Sequence, residues 1–145
     1  MVATLDYMSS QPIRIESETI AKLRRKSLES GESLTRLAQR YIMEGLKMEE
    51  HPGIFFRTGP AGRRAVLVGG PDVWEVINGL HGMREVGEAR VRAVAECTGI
   101  PEKRARVALR YYAAHPEEID SWIAANDAEA EELERILERE REILG

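Results

Sequence analysis

The stretch "QPIRIES", residues 11–17, alternates Ile13 and Ile15 with Pro12, Arg14 and Glu16 and then gives way to a strongly helical sequence. Alternation with a period of two is the pattern of a half-buried strand. No second strand lies near it in the chain, and a lone strand leaves its backbone donors and acceptors unmet. It requires either a distant partner or a second copy of the molecule, and that choice decides the fold.

Outward from this stretch, Ser17 is placed to cap a helix whose inward face is expected to hold Ile20, Leu23 and Leu28 while Lys22, Arg24, Arg25 and Lys26 stay in water. Gly31 stops that helix. Ser33 is then placed to cap a second one, in which Leu34, Leu37, Ala38, Tyr41, Ile42 and Leu46 follow the three-and-four spacing of a buried stripe. Strand, helix, glycine turn and helix within about 36 residues are too little to enclose those apolar faces in a monomer. Two copies meet every demand at once, because their strands can pair antiparallel across a twofold axis. Ile13, Ile15, Leu37 and Tyr41 then form a dimer core, and Ser10, Pro12 and Arg14 face outward. A two-stranded ribbon is one of the elements that fits the major groove of DNA.

These residues resemble the ribbon-helix-helix family of dimeric repressors, typified by the Arc and MetJ repressors and by many antitoxins. "IRIES", a helix, and "SGES" opening a second helix correspond to that family's strand, first helix, glycine turn and second helix, over about residues 10–47. The resemblance implies that Ser10, Pro12 and Arg14 lie on the DNA-facing side, with Arg14 reaching base edges. It also implies that Ser33, Thr35 and the neighbouring backbone N–H groups hold a phosphate at the start of the second helix. Pro12 has no N–H to give to a ladder or a base, and Glu16 would be repelled by phosphate. A ribbon that serves only dimerisation therefore stays open as an alternative.

A second segment begins at "HPGIFFR". The apolar runs Ile54 to Phe56 and Ala65 to Val68 flank "TGPAGRR", which reads as a hairpin with a long loop. Beyond "GGPD", Asp72 is a candidate cap for a helix holding Val73, Trp74, Val76, Ile77 and Leu80. Two further helices are predicted, over about 88–97 and from Pro101 to about Ala114. "HPGI", "AVLVGGPDVWEVING" and "IPEKRARVALRYYAAHPEEID" resemble the small antitoxin-like domain catalogued as domain of unknown function 433, over about residues 50–120. That resemblance implies the antitoxin half of a pair whose toxin is a PIN-like ribonuclease. The family's glycine-threonine-arginine turn is here "VGGPD", and its role is not carried over. The last two helices also have helix-turn-helix spacing, with Lys103, Arg104, Arg106 and Arg110 as a possible second nucleic-acid or partner surface, or simply a solvated face.

From His115 the character changes again. Ile119, Trp122 and Ile123 are placed to fold back on the second segment, and "NDAE" offers a cap at Asn126 for a new helix. Leu133, Ile136, Leu137, Ile143 and Leu144 line one side of it, and with Trp122 they are the candidate toxin-binding residues; packing against a dimer mate is the alternative. The charge follows the same division. Residues 1–47 carry 8 basic and 6 acidic side chains, 48–114 carry 10 and 8, and 115–145 carry 3 and 11, so the net charge runs +2, +2 and −8. Such a gradient suits a front that approaches nucleic acid and an end that repels it or meets a basic partner.

No apolar run approaches the roughly 20 residues that span a bilayer, and "MVATLDYMSS" lacks the pattern of a secretion signal. Cys97 is the single cysteine, which excludes an intrachain disulfide and a cysteine-based zinc site. It is expected as a small buried residue. His51, His81 and His115 stand about thirty residues apart, with no pair at metal-ligand helical spacing, and two of them precede proline and are expected to shape turns. "GPAG" and "VGGP" lack the lysine and hydroxyl residue of a phosphate-binding loop. No nucleophile, base and orienting partner assemble, so no catalytic residue, metal or cofactor is expected.

The sequence thus predicts a mostly α protein in three parts. Residues 1–48 form a ribbon-helix-helix DNA-binding and dimerisation domain, 49–120 a hairpin plus three-helix, winged helix-turn-helix-like domain, and 121–145 an acidic amphipathic helix. The expected function is a cytoplasmic antitoxin that binds operator DNA as a homodimer, represses its own promoter and neutralises a PIN-like ribonuclease, with no membrane partner. The alternative is a stand-alone ribbon-helix-helix regulator without a toxin.

Overall fold

The computed structural model describes residues 10–145, in which six helices and one antiparallel hairpin follow one another: α1 (Ser17–Ser30), α2 (Leu34–Glu50), β1 (Ile54–Gly59), β2 (Gly62–Leu67), α3 (Val73–Asn78), α4 (Gly87–Thr98), α5 (Glu102–Ala114) and α6 (Pro116–Leu144). The described chain divides into two compact units, residues 10–43 and 44–145. The division falls within α2 rather than after it. Glu44 and Lys47, on the last turns of that helix, form ion pairs with Arg63 and Glu118 of the second unit.

In the first unit, residues 10–16 form neither helix nor strand in the single chain. The predicted strand is absent there because a ladder needs a partner, and among the described residues the one sheet consists of β1 and β2. Glu16, extended at φ −63° and ψ 149°, is the N-cap of α1, so Ser17 is its first residue and not its cap. Gly31 ends the helix at φ 73°, a left-handed conformation that costs glycine nothing, and its N–H bonds the Ser27 carbonyl at 3.0 Å. Across the turn, Ser27 donates its hydroxyl to the Glu32 carbonyl at 2.5 Å and Arg40 pairs with the Glu32 carboxylate at 2.8 Å. α1 buries no residue. Leu28, expected on its inward face, is 87% exposed, whereas Ile20 and Leu23 are half-buried.

The second unit has a core of its own. β1 pairs with β2 from Ile54 opposite Leu67 to Gly59 opposite Gly62, so the strands reach further than their apolar runs and the turn is only Pro60 and Ala61. The long loop read from the glycines and proline is thus a tight one. Ile54, Ala65 and Leu67 of the hairpin pack with Val73, Val76 and Ile77 of α3, Val94 and Ala95 of α4, Ala105, Ala108 and Tyr111 of α5, and Ile119 and Ile123 of α6. Asp72 caps α3 as predicted, with the Glu75 carboxylate returning to its N–H at 2.9 Å.

Two local expectations are corrected. On α4 the buried or half-buried stripe is Val91, Val94, Ala95 and Thr98, a three-and-four progression that leaves Cys97 off it and exposed. Asn126 starts no helix, since α6 runs unbroken for 29 residues; no glycine or proline interrupts it after Pro116, and mid-helix Asn and Asp cost only a fraction of a kcal/mol, about 0.7 at most.

Candidate functional site

The residues singled out in the first unit are mostly open to solvent. Ser10, Pro12 and Arg14 are exposed, and so is Thr35 on the first turn of α2. Ser33 sits just before that helix and accepts the Arg36 N–H at 3.2 Å, the geometry of an N-cap. Of the four residues assigned to a dimer core, Leu37 is buried and Ile15 half-buried, while Ile13 is 71% exposed and Tyr41 40%. Ile42, Met43 and Leu46 are also large and exposed. The stripe read from the sequence is therefore uncovered along much of its length in one chain.

In the second unit the four basic residues of α5 divide in two. Arg104 donates from Nη2 to the carbonyl oxygens of Val68 and Gly70 and thereby holds the loop between β2 and α3. Arg106 pairs with Glu88 of α4, and its guanidinium holds that carboxyl below the usual carboxylate range. Lys103 and Arg110 are exposed. The fold thus gives a structural task to half of the basic surface that the sequence offers to a partner.

A carboxylate that sequence reasoning treated only as a cap proves more central. Asp72 is 2% exposed, and it draws Arg57 at 2.8 Å, Arg64, and the Trp74 indole N–H at 3.3 Å. Both arginines lie on the hairpin, so one buried charge ties β1, β2 and the start of α3 together. Arg57 and Arg64 stand opposite each other in the strand register, a pairing that the sequence hides because Arg64 reads as part of the loop.

On α6, Trp122 is half-buried, with its ring end close to Gly62 at the start of β2. It lines a cleft of about 220 Å³ with Pro60, Ala61, Arg64, Trp74 and Asn126. It is therefore a packing residue as well as a surface one. Leu133, Ile136, Leu137, Ile143 and Leu144 are all exposed, as the predicted free stripe requires.

The fold also joins residues that are distant in sequence. His51 follows the last residue of α2 and His115 stands between α5 and α6, yet their rings lie 5.2 Å apart, centre to centre and edge to face. Tyr111 packs against both, 5.1 Å from His51 and 4.7 Å from His115, and donates its hydroxyl to Glu118 at 2.8 Å. Burial, and then the Glu118 carboxylate, push the Tyr111 phenol far above its ordinary range. Burial, and then the Lys47 ammonium, hold the His115 imidazole below its own, which favours the neutral ring. Each histidine precedes a proline: His51 enters the turn after α2, whereas His115, also expected to shape a turn, joins α5 directly to α6. Their proximity was invisible because about sixty residues of hairpin and helices intervene.

Comparison with protein-family models, curated proteins and solved structures finds no match to this chain. Among the described residues, no helix is long and apolar enough to cross a membrane.

Proposed function

We propose that this chain is a dimeric DNA-binding antitoxin, whose first unit pairs with its copy and docks on operator DNA and whose second unit and acidic helix neutralise a PIN-like ribonuclease. The observation that carries the reading is the exposure of Ile13, Leu28, Tyr41, Ile42 and Met43 in a unit of two helices preceded by a segment, residues 10–16, that is neither helix nor strand in the single chain. Isolated exposed apolar residues are ordinary, but so many in so small a unit favour a partner surface. A second copy is the partner that would also complete the backbone of residues 10–16.

The outward residues of such a ribbon, Ser10, Pro12 and Arg14, would face the major groove, and the capped start of α2 would receive a phosphate. At the other end, α6 carries all 11 acidic side chains of residues 115–145 beside an exposed apolar stripe. That combination suits the basic cleft of an RNA-cleaving partner.

The test is the oligomeric state. Light scattering during size-exclusion chromatography at micromolar concentration should return twice the 16.3 kDa chain mass, and Ile13→Asp should return the monomer. A wild-type monomer would remove the ribbon, and with it the DNA-binding reading. Coexpression with the neighbouring open reading frame then separates antitoxin from free-standing regulator, since only the former copurifies with a small nuclease.

A further inference from the structure

Glu50, His51 and His115 converge so that one ligand atom from each lies within 4.8 Å of the other two. The geometry points to a binding site for a zinc-class divalent cation made by these three side chains, with solvent completing the coordination. Donors held about 2 Å from a tetrahedral metal stand roughly 3.3 Å from one another. Closing from 4.8 Å asks for rotation of the exposed Glu50 and small adjustments of two half-buried rings.

Two further features favour a cation here. His115 Nε2 is buried and meets no hydrogen-bond partner among the described residues, so the ring keeps a nitrogen without a task in the protein. α2 and α5 both end at this point, His51 N–H bonding the Lys47 carbonyl at 2.9 Å and His115 N–H the Tyr111 carbonyl at 2.9 Å. Against the partial negative charge of those two helix ends stands the N-terminus of α6, which begins at Pro116, so the helix termini nearly balance here. A cleft of about 380 Å³ opens beside His115 and is lined by Lys47, Glu117 and Glu118 among others, which leaves a solvent path to the site. Lys47 is the one cation on it, and its ammonium is 3.0 Å from the Glu118 carboxylate. With Glu50 and Glu117, the local balance is three carboxylates to one ammonium.

Two imidazoles and one carboxylate select the class of metal. That donor set suits zinc, cobalt or nickel, whereas magnesium and calcium demand shells built of oxygen. A bound ion would clip the end of α2 to the elbow between α5 and α6. The site is independent of the DNA-binding reading.

The test uses tag-free full-length protein stripped with a chelator and titrated with Zn²⁺ by calorimetry and with Co²⁺ by visible absorption. We expect one ion per chain and a cobalt spectrum typical of few-coordinate nitrogen and oxygen ligands. His51→Ala and His115→Ala should each weaken binding more than about 100-fold, since losing even an outer-shell partner costs about 10- to 100-fold. Glu50→Gln, an exposed change that spares the fold, should weaken it about 10-fold or more by the same reasoning. His81→Ala should change nothing, and circular dichroism confirms that each variant is folded. Absence of saturable binding, equal binding in the double histidine variant, or equal competition by Mg²⁺ would overturn the site. Unchanged affinity in Glu50→Gln would overturn the three-ligand set.

Discussion

The hydroxyl of Tyr111 donates to both carboxylate oxygens of Glu118, at 3.0 and 2.8 Å, across the elbow where α5 gives way to α6. Tyr111 is fully buried, so this is the polar tip of a core side chain meeting a charge at the edge of the core.

The first prediction concerns alkaline stability. The folded-state pKa of Tyr111 lies above the unfolded value of 10.0, so its stabilisation is complete below that pH and is lost as pH rises beyond it. Tyrosinate absorbance should show one phenol that ionises only as the protein unfolds, and the unfolding free energy should fall with pH above 10. Tyr111→Phe should abolish that late phenol. It should also cost about 1–3 kcal/mol at neutral pH, because Glu118 loses a partner while the ring is kept.

Asp72 supplies the second. Replacing it by Ala removes the helix cap and leaves Arg57 and Arg64 without their shared anion, while Asp72→Asn retains the capping oxygen. Urea denaturation should show a loss on the order of 3 kcal/mol for Ala and a smaller loss for Asn. Arg57 is half-exposed and recovers some hydration, which holds the figure below that of a fully buried pair.

For DNA, Arg14→Ala should weaken binding to the chain's own promoter region by about 1–3 kcal/mol and relax sequence preference, if Arg14 reads a base. Fluorescence anisotropy across a salt series distinguishes the alternatives. An equal, small loss on every sequence, with a shallower salt slope, would make it a phosphate contact.

The last prediction concerns the partner helix. Ile119 and Ile123 belong to the core, so a cut at Ala114 would damage the second unit, whereas removing residues 129–145 spares every buried residue. That truncation should unfold at nearly the same temperature as the full chain and, on the proposed function, still dimerise and bind DNA while failing to neutralise a coexpressed ribonuclease. Retained neutralisation would move the partner surface off α6.

The elements of the second unit were legible because each is punctuated: Gly59 and Gly62 around the hairpin turn, Asp72 before α3, Gly99 and Pro101 between α4 and α5. Where punctuation was weak the reading slipped. Asn126 and Asp127 look like a cap but sit in a helix that nothing forces to stop, and Cys97 looks apolar but falls beside the buried stripe. The apolar stripe of α6 is exposed together with its charged side, because past Asn126 nothing in the chain packs on that helix. Periodicity could not foresee that Arg104 would be spent on the carbonyls of Val68 and Gly70, or that His51 would meet His115, because both depend on chain returning from a distance.

The 29 residues of α6 put buried side chains into the core from the first two turns only, with Asn126 half-buried just beyond. Past Ile123 about twenty residues have little beyond their own backbone bonds and short-range charge pairs such as Arg135 with Glu132, and a free helix of that length in water sits near the helix–coil balance. Amide hydrogens there should exchange far sooner than those of α3, and proteolytic nicking should begin at this end. How long an intact terminus survives would then be governed by whatever shields it.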